Sequence, residues 1–465
     1  MNKLVMFALL ATGASLVSQG LNTKSIVNVT INPTKGINSK YLLPKWNKSR
    51  ATEYILEKIS VNQEELDKLL ENNKKVIINL EIDGLSDKKQ VVLGPKAFMN
   101  IDIPGSFGLI INLGSDGNAV VIKNAVSMFK GARSLISFGG KVDTSDVTDM
   151  SDMFYECENL TQLDLSNFNT QKVTNMHGMF TKCRNLYALN LSNLDTRNVE
   201  DMSDMFYECN NLSKLELHNF DTRKVRDMTG MFYRCKNLSK LNLSDFDTKN
   251  VNVMEDMFYG CKNLYELDLS NFDTRNVWIM AGMFSDCENI SKLDLRNFDT
   301  KNVERMDGMF YGCRNLSVLN LDSFNTQNVV IMSCMFAKCN KLQHIDLKNF
   351  NTRNVKDMER MFAGCESLTQ LDLGNFNTQK VTHMQAIFDG CRSLETLNLK
   401  NFDIQNAEDV KNMFRGCVTL KTLYANSNFF NKETAKSHQG LNKDLQIIDT
   451  NQKLTNQPSK GSGQH

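Results

Sequence analysis

The sequence is poor in the side chains and spacings from which most enzyme and metal sites are built. It has only six histidines in 465 residues, and they fall at unrelated positions of the repeat described below. No two cysteines have the C-x-x-C spacing of a zinc site, and no glycine-rich loop is present to bind a phosphate. We therefore expect no enzymatic activity, no bound metal and no cofactor.

An excess of charge of one sign is also lacking. The chain has 54 basic and 53 acidic residues, a net charge of +1, and the two signs are mixed along every repeat. Proteins that bind nucleic acid usually show a basic stripe or a basic excess. We therefore predict that nucleic acid is not a partner of this chain.

The apolar run near the N-terminus, Leu4 to Leu10, is too short for a membrane span. It follows Lys3 and precedes small and polar residues through Gly20, which is the order of segments in a secretory signal. We predict a signal peptide over residues 1–20, export to the cell surface or medium, and no membrane span after cleavage. A buried N-terminal helix or a retained anchor is the alternative.

Two segments separate this signal from the repeats. Residues 21–48 are rich in Asn, Lys, Ser and Thr and have no apolar period, which predicts a disordered linker. Residues 49–125 show helical spacing between Arg50 and Asn73, and then four apolar stretches that are typical of strands: Val76 to Ile82, Val91 to Leu93, Leu109 to Leu113 and Val120 to Ile122. We predict a small α+β N-terminal cap here.

The rest of the chain is organised by a repeat of 26 residues that holds a Met-Phe pair. The pair first occurs at Met128-Phe129, recurs at Met153 and then every 26 residues, with Ile387-Phe388 in its place in one unit, giving twelve units over residues 126–430. Val173, Met176, Met179, Phe180 and Cys183 lie at helical steps, whereas Leu186, Leu189 and Leu191 end in a strand-like alternation. We predict an α/β fold, a leucine-rich-repeat-like solenoid of about twelve helix–strand units with a stacked parallel sheet, followed by a polar flexible tail over residues 431–465.

Other recurring residues of the repeat support this interpretation. The recurring asparagine before leucine, as at Asn159 and Asn185, fits a helix C-terminus, and the recurring threonine, as at Thr170 and Thr196, fits the turn that opens the next helix. Eleven of the twelve cysteines share one repeat position on the inward face. We predict a ladder of buried thiols there and not disulfides, because equivalent side chains in stacked coils project in parallel.

The pattern M-x-x-M-F-x-x-C-x-x-L-x-x-L-x-L-x-x-F-[DN]-T-x-x-V over residues 127 to about 425 resembles the bacterial surface protein 26-residue repeat, a BspA-like branch of the leucine-rich repeats. Members of that family are mostly exported or cell-surface proteins. The resemblance implies surface exposure and a role in adhesion or recognition. The chain shows neither a lipoprotein cysteine near its N-terminus nor a C-terminal sorting signal, so its mode of anchoring stays open.

The candidate binding positions are those that vary on the predicted strand face, next to a row of Asp and Asn. We expect partner contacts at six of them: Lys214, Lys240, Lys292, His344, Arg296 and Lys348. The Asp/Asn row fits a solvated strand face, with calcium binding as the alternative. The tyrosines that follow the Met-Phe pair, as at Tyr207 and Tyr233, are predicted to cover the core from the opposite side.

We expect the protein to be a surface module that recognises a protein or glycan on a host or neighbouring cell. The alternative is a structural or shielding array with no specific ligand. The sequence does not determine the oligomeric state.

Overall fold

The computed structural model describes residues 26–31, 75–82, 92–93, 95–101, 107–115, 119–426, 429 and 444–450. The chain divides into an N-terminal unit, Met1–Asn276, and a C-terminal unit, Val277–His465. Each unit contains six of the twelve Met-Phe repeats. The predicted signal peptide and the helices predicted between residues 50 and 73 lie outside the described residues.

Both units are built from short parallel strands. The first repeat holds two strands, and each later coil of the stack holds at most one. The N-terminal unit contains β1 Ile26–Ile31, β2 Lys75–Ile82, β3 Val92–Leu93, β4 Phe107–Leu113, β5 Val120–Ile122, β6 Leu135–Gly140, β7 Val142–Asp143, β8 Gln162–Leu163, β9 Ala188–Leu189, β10 Lys214–Leu215, β11 Lys240–Asn242 and β12 Glu266–Asp268. The C-terminal unit contains β13 Lys292–Leu293, β14 Val318–Leu319, β15 Gln370–Asp372, β16 Thr396–Leu399, β17 Thr422–Ala425 and β18 Gln446–Asp449. The fold of each unit is therefore a parallel β-solenoid.

The sheets follow chain order, as expected for stacked coils. A five-stranded sheet has the order β1-β2-β4-β6-β8, and β3, β5 and β7 form a second sheet. In the C-terminal unit, β15 to β18 pair consecutively, with Leu371, Leu397 and Leu423 in register. Equivalent residues of neighbouring coils therefore lie side by side, about 4.8 Å apart.

The strands predicted before the first repeat are confirmed as β2, β3, β4 and β5. Two composition-based predictions missed a strand. β1 lies inside the predicted linker and pairs with β2, and β18 lies inside the predicted tail and pairs with β17. Both strands are short alternating or apolar runs. The polar residues around them dominate the average composition of the segment, which therefore did not indicate a strand.

The helix that we predicted in each 26-residue repeat is wrong. Among the described residues no α-helix occurs, and the Met-Phe segments are successions of tight turns. The reason is visible at Gly178 and Lys182, which have φ of 59° each, in the left-handed region and far from the helical value near −63°. One such residue before the Met-Phe pair and one before the cysteine interrupt any helix.

Hydrogen bonds between coils replace the helical ones. The N–H of Phe180 donates to the carbonyl of Met205 in the next coil at 2.9 Å, and the N–H of Gly178 donates to Ser203 at 2.9 Å. Within the coil, turn bonds join residues three apart, as from the N–H of Cys183 to the carbonyl of Phe180 at 3.0 Å. The turn segment thus satisfies its backbone largely by stacking.

The core consists of ladders of identical side chains. The phenylalanines of the Met-Phe pairs are fully buried and stack coil on coil, with ring centroids 5.7 Å apart for Phe180 and Phe206 and also for Phe310 and Phe336. The second predicted phenylalanine ladder, which includes Phe168 and is interrupted by Leu194, is also buried.

The buried thiol ladder is confirmed. All eleven cysteines at the shared position are buried and free. Each thiol with a resolved partner donates to a phenylalanine carbonyl of the preceding coil, as Cys183 Sγ does to Phe154 at 3.2 Å. Burial raises the pKa of the Cys209 thiol to about 12, so these groups stay protonated at neutral pH.

The roles predicted for asparagine and threonine at helix ends are wrong, because both residues join coils. The amide of Asn185 donates to Asn159 Oδ1 at 3.3 Å, and this ladder continues along the surface. The buried hydroxyl of Thr170 donates to the carbonyl of Asp195 at 2.9 Å and accepts from the N–H of the same residue at 2.7 Å. Each such threonine therefore bridges two coils.

The stacked turns begin one coil before the first Met-Phe pair. Lys96 and Asn100 have φ of 60° and 52°, as the corresponding residues of the repeats do. Phe98 stacks on Phe129 with centroids 5.2 Å apart, and its N–H donates to Met128. This upstream coil covers the end of the phenylalanine ladder. Throughout the described ranges no helix has the length and apolarity needed to cross a membrane.

Candidate functional site

The strand face alternates buried leucines with outward side chains, as the L-x-L pattern predicts. Around β11, Leu241 and Leu243 are buried whereas Lys240 and Asn242 are exposed. Each coil thus presents three outward positions: one before the Asp/Asn row, the row itself, and one after it. Because neighbouring coils are in register, these positions form three straight rows within each unit.

The Asp/Asn row caps the ends of the strands. Its side-chain oxygens accept the N–H of the residue two positions later, at 2.9 Å from Ser270 to Asp268 and at 3.0 Å from Lys348 to Asp346. These Asx turns explain the preference for Asp or Asn at this position. Across the described residues there is no group of three or more His, Cys, Asp or Glu side chains that could hold a metal ion.

In the N-terminal unit, Lys214 and Lys240 occupy the same position in neighbouring coils. Lys214 forms an ion pair with Glu216 in its own coil at 3.1 Å, and its side chain is 79% exposed. Lys240 pairs with Glu266 of the next coil at 2.6 Å, and this hydrogen bond raises the pKa of the Lys240 ammonium. The two lysines therefore lie on one surface, each next to a carboxylate.

Tyr265 is a further residue of this surface that the sequence analysis missed. Its side chain is 53% exposed, and Lys240 Nζ lies 5.5 Å from its ring centroid. Tyr187, at the same repeat position, is 38% exposed. The available signal was an aromatic residue at a position that holds Ser213 and Ser239 in the coils between.

The other four predicted residues lie on the C-terminal unit. Lys292 and Arg296 share one coil, and His344 and Lys348 share a coil two repeats later. Between these coils, Val318 exposes 55% of its surface at the position equivalent to Lys292 and His344. The structure thus brings together cations, a histidine and an exposed aliphatic side chain on one strand face.

Ion pairs also fix the charged side chains on this strand face of the C-terminal unit. Arg296 pairs with Asp294 at 2.6 Å, which lowers the pKa of the Asp294 carboxyl to about 2. Lys348 pairs with Asp346 at 2.7 Å and lies 3.6 Å from Asp322. Exposed pairs of this kind contribute little to stability, because water and salt screen the attraction. A carboxylate of a binding partner can therefore replace the carboxylate of such a pair at little cost in free energy.

On the turn side, the prediction that the tyrosines cover the core is confirmed. Tyr207, Tyr233 and Tyr259 are half-buried, and their rings stack with centroids 4.2 Å and 4.6 Å apart. The guanidinium of Arg234 lies 5.2 Å from the Tyr233 centroid and pairs with Glu208 at 3.3 Å. These contacts are satisfied within the protein, which leaves the strand face as the better candidate.

Comparisons with known proteins give a family and several distant structures, two of which are described here. The model described as "Mycoplasma protein of unknown function, DUF285" matches residues 123–241, 227–344 and 313–429. A TLR13–ssRNA13 complex is 18% identical, with 80% of this chain and 50% of that chain covered and a TM-score of 0.27, so this chain spans about half the length of that one. The Leptospira interrogans LRR protein LIC12759 is 14% identical, with 80% and 89% covered and a TM-score of 0.23. No curated protein matches.

Proposed function

This chain belongs to the family of Mycoplasma proteins of unknown function, DUF285, and we propose that it is an exported surface module that recognises a protein or glycan through its strand faces. The observation that carries the proposal is the contrast between the two sides of each strand. The inward positions repeat Leu and Phe with little change, whereas the outward positions next to the Asp/Asn row differ in charge and size. A rigid frame with variable exposed side chains suits selective binding.

The location at the cell surface rests on the N-terminal sequence and on the resemblance to BspA-like leucine-rich-repeat proteins, which are mostly exported. Its test is protease added to intact cells that express the protein. We expect loss of the protein while a cytosolic marker survives, and full protection of the protein would contradict export. Sequencing the N-terminus of the mature chain shows whether the segment over residues 1–20 has been removed.

The binding surface is tested by reversing its charge. The intact protein is screened against host and matrix proteins and glycans, and any ligand found is measured again with Lys214→Glu, Lys240→Glu and Lys292→Glu combined. We expect the affinity to fall roughly tenfold or more, because three exposed cations become anions, two of them next to existing carboxylates.

A matched control changes charge by the same amount on another face. Lys224→Glu, Lys249→Glu and Lys301→Glu replace three exposed lysines at the corner that follows the buried threonine. This triple variant should bind within about twofold of the unmodified protein, since surface charges beyond a Debye length are screened. If both triple variants bind equally well, the strand faces are not the binding surface.

One observation favours a second candidate function, a structural or shielding array without a specific ligand. Four of the six predicted residues, Lys214, Lys240, Arg296 and Lys348, already pair with carboxylates of the same surface. Such a face can serve solubility alone. Failure of the intact protein to bind any ligand of the screen would support this second function.

A further inference from the structure

A strip of eight residues on the C-terminal unit has a surface chemistry unlike the rest of the repeats. It consists of two adjacent columns across four consecutive coils. The outer column is Trp278, Glu304, Val330 and Lys356, and the inner column is Ile279, Arg305, Ile331 and Asp357. Each coil therefore contributes one row of the strip, and a row consists of two residues that are consecutive in sequence.

The backbone holds the strip in register. In the outer column, the N–H of Glu304 donates to Trp278 at 2.9 Å, and the N–H of Val330 donates to Glu304 at 2.8 Å. In the inner column, Arg305 forms parallel bridges with Ile279 and with Ile331. Four rows at the spacing of parallel strands make a rigid strip about 15 Å long.

Along the strip, apolar and charged rows alternate. Trp278 exposes 47% of its surface, and Ile279, Val330 and Ile331 are each half-buried. The first four equivalent rows of the N-terminal unit are polar throughout: Thr148-Asp149, Thr174-Asn175, Glu200-Asp201 and Arg226-Asp227. An exposed tryptophan at the edge of a partly apolar strip is the residue type that most often dominates protein interfaces.

We propose that this strip binds the same strip of a second copy of the chain, with a two-fold axis along the columns. Such an axis keeps each row and exchanges the columns, so the outer residue of one copy faces the inner residue of the other. Trp278 then faces the partner's Ile279, and Val330 faces the partner's Ile331. Glu304 faces the partner's Arg305, and Lys356 faces the partner's Asp357. All four rows are complementary in this arrangement.

The alternative two-fold axis, across the strip, is disfavoured by charge. It would reverse the order of the rows, so Trp278 would face the partner's Lys356, Glu304 the partner's Val330 and Arg305 the partner's Ile331. Each charged side chain would then lose water without gaining an opposite charge. The guanidinium of Arg305 also binds Asp307 at 2.9 Å, which fixes its position, and its planar fork can hold a second carboxylate. The two copies therefore associate side by side and run in the same direction.

The test is sedimentation velocity of the full chain over a series of concentrations, without any ligand. We expect a reversible dimer, and Trp278→Ala should weaken it by about tenfold or more. Glu304→Arg and Arg305→Glu should each weaken it, because each sets like charges face to face. The double variant Glu304→Arg/Arg305→Glu should restore association, since the exchanged charges again face their opposites. Glu200→Arg, at the outer position of the N-terminal unit, is the matched control and should leave the dimer unchanged.

Several results would overturn the proposal. A monomer at every concentration excludes the dimer, and a dimer insensitive to Trp278→Ala uses another surface. Failure of the double variant to recover, with a normal melting curve, excludes the parallel arrangement. If Arg305→Glu loses its native melting transition, Lys356→Asp decides the question, because it opposes the partner's Asp357 and leaves the pair of Arg305 with Asp307 intact. Dimerisation unaffected by Lys356→Asp would then count against the strip.

Discussion

Replacement of Thr222 by valine measures how strongly the coils of the N-terminal unit are joined. Thr222 is 1% exposed, and its hydroxyl donates to the carbonyl of Asp247 at 3.0 Å and accepts from the N–H of Asp247 at 2.8 Å. Valine has the same shape but no hydroxyl, so both backbone groups of Asp247 lose their partner. Each buried unsatisfied group costs about 1–3 kcal/mol. Because Asp247 is half-buried, we expect a total loss of about 2–4 kcal/mol.

Thr222→Ser is the matched control for this variant. Serine keeps the hydroxyl and loses one buried methyl group, which costs about 1 kcal/mol. Unfolding in urea, followed by circular dichroism, gives the overall loss for each variant. Because long repeat arrays need not unfold in one step, hydrogen exchange of single amides is the sharper measurement.

Hydrogen exchange also separates the observed geometry from the helix cap that the sequence suggests. If Thr222 joins coils, the valine variant should speed exchange of the Asp247 amide by roughly tenfold or more, which corresponds to at least 1.4 kcal/mol. If it capped a local helix, the affected amides would be those of Lys224 and Val225. An unchanged Asp247 amide, or a valine variant no less stable than the serine variant, would refute the bridging role.

Three further predictions concern backbone, thiols and pH. Gly230→Ala should destabilise the protein more than Gly308→Ala. Both glycines have positive φ, but a Cβ at Gly230 would collide with Asp204 Oδ1, whereas the atom nearest to a Cβ at Gly308 is 3.9 Å away. Equal losses of stability in thermal melts would contradict this prediction. Cys209, with a pKa raised to about 12, should not react with a thiol reagent at pH 8 until denaturant is added. The pKa of Asp294, lowered to about 2 by Arg296, should return towards 3.8 in Arg296→Ala. Because the folded pKa is the lower one, the pair's stabilisation is present above pH 4 and is lost as the pH falls towards 2; an NMR titration that shows no shift would contradict the pairing.

The buried positions of the repeat could be predicted from sequence because burial follows from periodicity alone. The leucines of the strand and the phenylalanine and cysteine ladders are where the pattern places them. The helix was wrong because the spacing of Met150, Met153, Phe154 and Cys157 suits a helix face and a stack of turns equally well. What separates the two is the sign of φ at the intervening residues. The available signal was the glycine that several coils carry there, as at Gly230 and Gly260.

The candidate surface could be located from sequence, but its pairings could not. The exposure of Lys240 follows from the alternation around Leu241. Its partner, Glu266, is 26 residues away and becomes a neighbour only when the register of the stack is known. Tyr265 was missed for a related reason, since its exposure depends on where the strand begins. Sequence therefore identified which positions face outward and left open which of them touch.

A stack of nearly identical coils raises the question of what prevents a coil from packing on the wrong neighbour. In the N-terminal unit, the first left-handed position alternates between Asp and Gly along consecutive coils: Asp152, Gly178, Asp204, Gly230 and Asp256. The carboxylate of Asp152 lies over Gly178, and that of Asp204 lies over Gly230. Asp152 Oδ1 lies 2.7 Å from where a Cβ of Gly178 would be, so a side chain there would be excluded. Omission of one coil would place aspartate on aspartate, without space and with like charges.

The second left-handed position in the same coils opposes the same error through charge. Glu156 pairs with Lys182 at 2.7 Å, and Glu208 pairs with Arg234 at 3.3 Å. A slip by one coil would bring Glu156 next to Glu208 and Lys182 next to Arg234, which is unfavourable by charge. Non-glycine residues are strained in the left-handed region. Charged side chains at this position favour the native order of the coils despite that strain, a specificity that glycine would not give.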